Sequence, residues 1–138
     1  MAEAYGKLTG RPGVCVVTRG PGATNASVGL HTAFQDSTPM ILLVGQVGRE
    51  MLDREAFQEV NHQIFFSEMS KWSAEIKDAS RIPEYLSHAF HVALSGRPGP
   101  VVLSLPEDML RDEVAVEDAP RAIPVQPAPT MEQMSEVR

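Results

Sequence analysis

The apolar run Val14–Val17 leads directly into Thr18-Arg19-Gly20-Pro21-Gly22-Ala23-Thr24-Asn25, and an amphipathic stretch follows from Ala26. A strand that ends in Gly-Pro-Gly and reopens as a helix is costly, because glycine loses more backbone freedom on ordering than any other residue. Such a segment can serve as a tight strand-to-helix turn. It can also present backbone N–H groups to an anion at a helix N-terminus. The sequence lacks both the Gly-Lys-Ser/Thr ending of a P-loop and a G-x-G-x-x-G spacing, so local spacing leaves the two uses open. Thr24 and Asn25 stand where helix N-caps belong.

The remaining chemistry-bearing side chains form weaker patterns. His88 and His91 are one helical turn apart, but no cysteine or carboxylate cluster accompanies them, and structural zinc takes four ligands. Cys15 lies between valines and reads as a small buried hydrophobe. Ser27 and Ser37 lack the G-x-S-x-G elbow of a serine hydrolase. Asp53, Glu55 and Glu59 flank Phe57-Gln58 in a stretch without clean periodicity, which suits a solvated loop.

These residues need a scaffold, and the pattern supplies one. Gly13–Thr18 predicts a strand buried on both faces, and Ala26–Gln35 a helix. Met40–Val44 predicts a second buried strand, stopped by Gly45, and Lys71–Ile76 a short strand. Ile82, Leu86, Ala89, Phe90 and Ala93 give one apolar face to a helix over Ala79–Ser95, with Asp78 as its N-cap and Pro83 in its first turn. Val101–Leu105 is a third buried strand. The alternation predicts an α/β fold, a parallel sheet with helices on both faces. In such sheets ligands gather at the carboxyl ends of the strands. Thr18–Asn25, Gly45-Gln46 and Pro106-Glu107-Asp108 all fall there.

Composition narrows the class. The 138 residues carry a net charge of −6 and are 43% hydrophobic, enough for one modest domain. The acidic balance gives no support for nucleic acid as a partner, and no apolar run is long enough to span a bilayer. A single cysteine excludes an internal disulfide and fits a reducing, cytoplasmic compartment. Met1–Leu8 reads as the end of a helix closed near Gly10. Residues 1–113 are expected to form a partial domain, and the proline-bearing residues 114–138 a linker and the beginning of a further domain.

Taken in order, Tyr5-Gly6, Thr9-Gly10-x-Pro12-Gly13-Val14, Thr18-x-Gly20-Pro21-Gly22-Ala23-Thr24-Asn25, Asp36-Ser37-x-Pro39, Gly45-Gln46-Val47, Phe57-Gln58-Glu59 and Gly96-Arg97-Pro98-Gly99-Pro100-Val101 form a specific set. It resembles the N-terminal, pyrimidine-binding domain of thiamine diphosphate-dependent enzymes, nearest the acetolactate synthase (acetohydroxyacid synthase) branch that serves branched-chain amino acid biosynthesis. The resemblance spans Met1 to about Leu110. It implies a larger enzyme that decarboxylates a 2-keto acid and passes the two-carbon unit to an acceptor. The cofactor would lie between subunits of a homodimer or homotetramer. Pro21, Gly22 and Asn25 would lie against its aminopyrimidine, Gln58 beside the thiazolium, and Phe57 along the substrate channel. The diphosphate and its Mg2+ would be held by a different domain, so the resemblance replaces the phosphate-cradle reading. It leaves open whether FAD or a regulatory subunit is also bound.

The resemblance also implies a glutamate upstream of Met1 as the acid–base group, so no catalytic residue is expected within these residues. The domain's first strand would lie upstream as well, leaving an exposed sheet edge and a chain inactive alone. Smaller departures concern the branch. Glu107 stands where acetolactate synthases carry a lysine, Ser70-Lys71-Trp72 replaces Thr-Lys-His, and Asn61 replaces an aspartate. They leave room for a decarboxylase or carboligase with a different substrate, or for a non-catalytic assembly module of the same fold.

Overall fold

The computed structural model describes residues 1–123 and 128–136. Four strands, β1 (Gly13–Val17), β2 (Met40–Gln46), β3 (Trp72–Glu75) and β4 (Pro100–Pro106), form one sheet in the order β1-β2-β4-β3. All three pairings are parallel, as the strand–helix alternation predicts. The helices are α1 (Ala2–Thr9), α2 (Gly20–Gln35), α3 (His62–Phe65), α4 (Ile82–Leu94) and α5 (Met131–Glu136). Gly10 ends α1 in the left-handed conformation, with φ 66°, and its N–H donates to the Gly6 carbonyl.

Strand alternation divides the core between the two faces of the sheet. Ile41, Val101, Leu103 and Ala74 point to one side, where Ala89 and Ala93 of α4 cover them. Leu42, Val44 and Val102 point to the other and meet Ala23, Leu30 and Ala33 of α2 and Phe66 beyond α3.

β1 departs from the expectation of burial on both faces. Cys15 and Val17 pack toward α2, but Val14 is 50% and Val16 69% exposed. β1 is an edge strand, and the core beneath α4 is built on β2, β4 and β3 without it.

Other boundaries move for identifiable reasons. α2 starts at Gly20 rather than Ala26, so Thr24 and Asn25 are inside the helix and not caps. The Thr24 hydroxyl donates to the Pro21 carbonyl at 3.0 Å, one turn back. Pro21 in the first turn has a helix-ready φ and lacks an N–H that would go unpaired there. β2 continues through Gly45 to Gln46 because β4 pairs with it as far as Pro106. The helix expected over Ala79–Ser95 divides into a 3-10 turn, Ala79–Arg81, and α4. Asp78 caps the turn, its carboxylate accepting from the Ser80 N–H at 2.9 Å. Past the turn at Met109–Arg111 the chain has no regular structure up to residue 123. The linker reading at Pro124 and Pro127 falls outside the described residues.

Candidate functional site at the strand tips

Carboxyl ends of β1, β2 and β4 converge as the parallel topology requires. Arg19, at the end of β1, pairs with Glu107 beyond β4 at 3.4 Å. The backbone N–H of Glu107 donates to the Gln46 carbonyl at 3.1 Å. The Arg49 guanidinium reaches Asp108 at 2.7 Å and Asp112 at 2.8 Å, and donates to the Lys77 carbonyl at 2.9 Å. Burial raises the Asp108 carboxyl, but the hydrogen bonds from Arg49 outweigh it and leave that group below its usual range.

A long loop, residues 47–61, crosses these tips and carries Phe57 and Gln58. It is tied to the first turn of α2: the Gly20 N–H donates to the Gln58 carbonyl at 3.0 Å. That bond satisfies one of the donors a helix start leaves open, and no side chain caps α2. The Glu59 N–H donates to the Ala56 carbonyl at 2.9 Å, closing a turn whose third residue is Gln58. Gln58 has φ 66°, at the position where type II turns ordinarily use glycine. Asp53 (φ 62°) and Glu55 (φ 53°) are also left-handed. Side chains in this region are held there by their surroundings, and such residues concentrate at functional sites. One restraint is Glu59, whose carboxylate accepts from the Asp53 and Ala56 N–H groups at 2.6 and 2.9 Å. Those bonds hold the Glu59 carboxyl below its ordinary range.

Of the site residues expected from sequence, Pro21 and Asn25 are exposed, Gly22 and Gln58 are half-buried, and Phe57 is 80% exposed. The structure brings the Gly-Pro-Gly turn and the Gln58 loop together. Asn25 makes no side-chain hydrogen bond among the described residues. Both glycines also have uses within the chain. A Cβ on Gly20 would lie 2.9 Å from the Gln58 carbonyl oxygen, and one on Gly22 would lie 3.0 Å from Thr18 Cγ2 and 3.1 Å from Val17 Cβ.

Three polar side chains lie beneath the loop: Gln46, which the sequence places at a strand end, and His62 and Ser104, which it does not single out. Gln46, His62 and Ser104 are all nearly fully buried. Gln46 Nε2 donates to the Val60 carbonyl at 2.9 Å, and His62 Nδ1 lies 2.9 Å from Ser104 Oγ. Burial pushes the His62 imidazole down to about 4, so the ring is neutral at physiological pH. The available signal was Ser104 itself, a hydroxyl inside the otherwise apolar Val-Val-Leu-Ser-Leu.

A separate groove of about 990 Å³ runs between Tyr5 and Pro12, Leu86 and Phe90 of α4, and Ile123; it contains none of the candidate residues. Among the described residues no three His, Cys, Asp or Glu side chains converge as metal ligands, and no helix is long and apolar enough to cross a membrane.

Residues 1–65 match the family described as "Thiamine pyrophosphate enzyme, N-terminal TPP binding domain". The chain is 42% identical over 119 residues to a probable acetolactate synthase large subunit of Methanocaldococcus jannaschii, covering 86% of this chain and 20% of that protein. It is 46% identical over 110 residues to the acetolactate synthase isozyme 3 large subunit of Escherichia coli, covering 80% and 19%. The chain thus spans about a fifth of the length of these curated relatives. The crystal structure of benzoylformate decarboxylase from Polynucleobacter necessarius superposes with a TM-score of 0.90 at 28% identity, covering 99% of this chain and 26% of that one. The chain belongs to the thiamine diphosphate-dependent enzyme family, as an N-terminal TPP-binding domain similar to that of acetolactate synthase large subunits.

Proposed function

We propose that this domain supplies the pyrimidine-binding half of a thiamine diphosphate enzyme that acts on a 2-keto acid, in the manner of an acetolactate synthase. The observation that carries this is the clamp between Gly20 and Gln58, which sets the exposed Pro21 and Asn25 and the Phe57-Gln58 turn at the same end of the sheet. The residues fit half of a shared site. They lie on an open surface, Asn25 offers an amide that no described residue engages, and Gln58 is held in a backbone conformation its neighbours enforce. Pro21, Gly22 and Asn25 would lie against the aminopyrimidine, Gln58 beside the thiazolium, and Phe57 along the approach for substrate.

When bound, the cofactor would supply the electron sink for decarboxylating the keto acid and joining the two-carbon unit to an acceptor carbonyl; the protein's part is orientation and water exclusion. Mg2+ and the diphosphate would be held by another domain, with a homodimer or homotetramer completing the site in the cytoplasm. FAD remains a candidate second cofactor.

The test measures thiamine diphosphate binding in the presence of Mg2+, together with carbon dioxide release from pyruvate. It uses the chain alone and an assembly in which this chain replaces the matching segment of an acetolactate synthase large subunit, so that the expected upstream glutamate and the diphosphate-binding domain are both present. Negligible binding is expected for the chain alone. In the assembly, Asn25→Ala and Gln58→Ala should each weaken binding or turnover at least about tenfold, the scale of losing one well-placed contact. Unchanged binding and turnover in both variants would overturn the assignment.

A further inference from the structure

We infer that His62 is a positioning residue, acting through Ser104 to fix the loop that carries Gln58. This rests on the reading above, in which Gln58 faces the cofactor. The loop has three restraints, and they differ in kind. At its start, Arg49 ties it to Asp108 and Asp112 through partly exposed ion pairs. In its middle, Gly20 and Glu59 hold the Gln58 turn. At its end, the polar side chains are buried: Gln46 (2% exposed) bonds the Val60 carbonyl, and His62 (2% exposed) meets Ser104 (1% exposed).

Register places Ser104 opposite Val44 on the sheet face beneath α2 and α3, one pleat from Gln46 opposite Pro106. Ser73 of β3 adds a bond from its hydroxyl to the His62 carbonyl at 3.2 Å. Two strands therefore grip the residue that opens α3, and Asn61 beside it caps that helix by accepting from the Ile64 N–H at 3.1 Å. An apolar side chain at 62 would fill the same space without a directional bond to β4.

The arrangement carries a visible cost. His62 Nε2 is buried and has no hydrogen-bond partner among the described residues. Buried polar groups are ordinarily satisfied, and one left open asks for a reason. Here the ring trades one unsatisfied nitrogen for a fixed angle between α3 and β4, and the Gln58 turn lies only four residues upstream of the ring. Gln58, Glu55 and Asp53 keep left-handed backbones, which persist only where surroundings over-determine them.

The experiment is amide hydrogen exchange on the protein and three variants. His62→Leu keeps the volume and removes the bond. Ser104→Ala removes the bond with the smallest change, in case the first variant folds poorly. His62→Asn keeps a polar atom near the place of Nδ1. The reporters are the Gly20 and Glu59 amides, whose acceptors are the Gln58 and Ala56 carbonyls; the Leu42 and Val102 amides in the central strands are the reference. His62→Leu and Ser104→Ala should each speed exchange at Gly20 and Glu59 about tenfold or more, with the reference amides unchanged, and His62→Asn should restore protection. Equal acceleration at reporters and reference, unaltered reporters, or failure of the Asn variant to rescue would overturn the inference. Gln58→Ala in the assembled enzyme separates the two claims: unchanged cofactor affinity removes the reading of Gln58 and leaves the His62–Ser104 restraint standing.

Discussion

Gly20 donates its backbone N–H to the carbonyl of Gln58 at 3.0 Å, and a methyl group on Gly20 would stand 2.9 Å from that same oxygen. The hydrogen bond that fixes the loop thus exists because residue 20 has no side chain. Gly20→Ala would also bring its Cβ within 3.1 Å of Val60 Cγ2. The expected loss is about 1–3 kcal/mol, the usual range for overpacking. Gly29 is the control: it is an exposed interior position of α2, with nothing within 4 Å of a Cβ. Gly29→Ala should gain about 0.5–1 kcal/mol from helix propensity. Urea denaturation of both variants decides the matter, and a shift of the same sign in each would remove the clash argument.

Gln58 is a long side chain at a backbone position that suits glycine, with φ 66°. Left-handed conformations cost a non-glycine residue roughly 1–2 kcal/mol. Gln58→Gly should therefore raise stability by about 1 kcal/mol, while Gln58→Ala, which keeps the Cβ and its strain, should leave it nearly unchanged. In the assembled enzyme both variants should lose activity. Stability and function would move in opposite directions in the glycine variant alone, as expected where strain is retained for a site. A glycine variant less stable than the alanine variant by thermal melt would show that the backbone is unstrained.

Periodicity made the sheet legible. Val14–Val17, Met40–Val44 and Val101–Leu105 are short apolar runs between Gly and Pro signals, and each is a strand. The convergence of the candidate segments followed from topology, because parallel strands bring their carboxyl ends together. What periodicity cannot show is strand order. The run at Val14–Val17 looks as buried as the other two, yet β1 lies at the edge and exposes Val14 and Val16. The start of α2 was misplaced because Gly20 is satisfied by the distant Gln58 carbonyl, a partner no local pattern contains. The grip of Gln46, His62 and Ser104 was hidden for the same reason, since those residues meet only once β2, α3 and β4 are assembled.

His62 gives the fold a defined acid response. Burial lowers its imidazole from 6.5 to about 4, so the unfolded chain binds this proton more readily than the folded one. Stability linked to the neutral ring is fully present above pH 6.5 and is lost progressively as pH falls toward 4. Such a shift corresponds to about 3 kcal/mol at full effect. The Glu59 and Asp108 carboxyls lie below their ordinary values, so their contributions fade at lower pH and leave the upper part of this window to the histidine. Urea midpoints at pH 7, 5.5 and 4.5 should fall steadily in the protein and much less in His62→Leu. A parallel decline in both would assign the acid response elsewhere.

Arg97 closes the far end of α2 from a different part of the chain. Its Nε donates to Ser37 Oγ at 2.7 Å, and one terminal nitrogen reaches the Phe34 and Gln35 carbonyls at 3.2 and 3.0 Å. Those carbonyls belong to the last turn of the helix, where acceptors lack partners and positive charge is favoured. The guanidinium also lies 5.9 Å from the centre of the Phe34 ring, and it braces Ser37, which is left-handed at φ 56°. A lysine can supply the charge but not the planar fork that divides three acceptors among its nitrogens. Arg97→Lys should therefore cost about 1 kcal/mol, most of the loss expected for Arg97→Ala, which is about 1–2 kcal/mol. Adding Ser37→Gly to Arg97→Ala should restore part of the loss, because glycine needs no brace at positive φ. Chemical denaturation of the three variants tests this, and a lysine variant as stable as the parent would reduce the contact to simple charge.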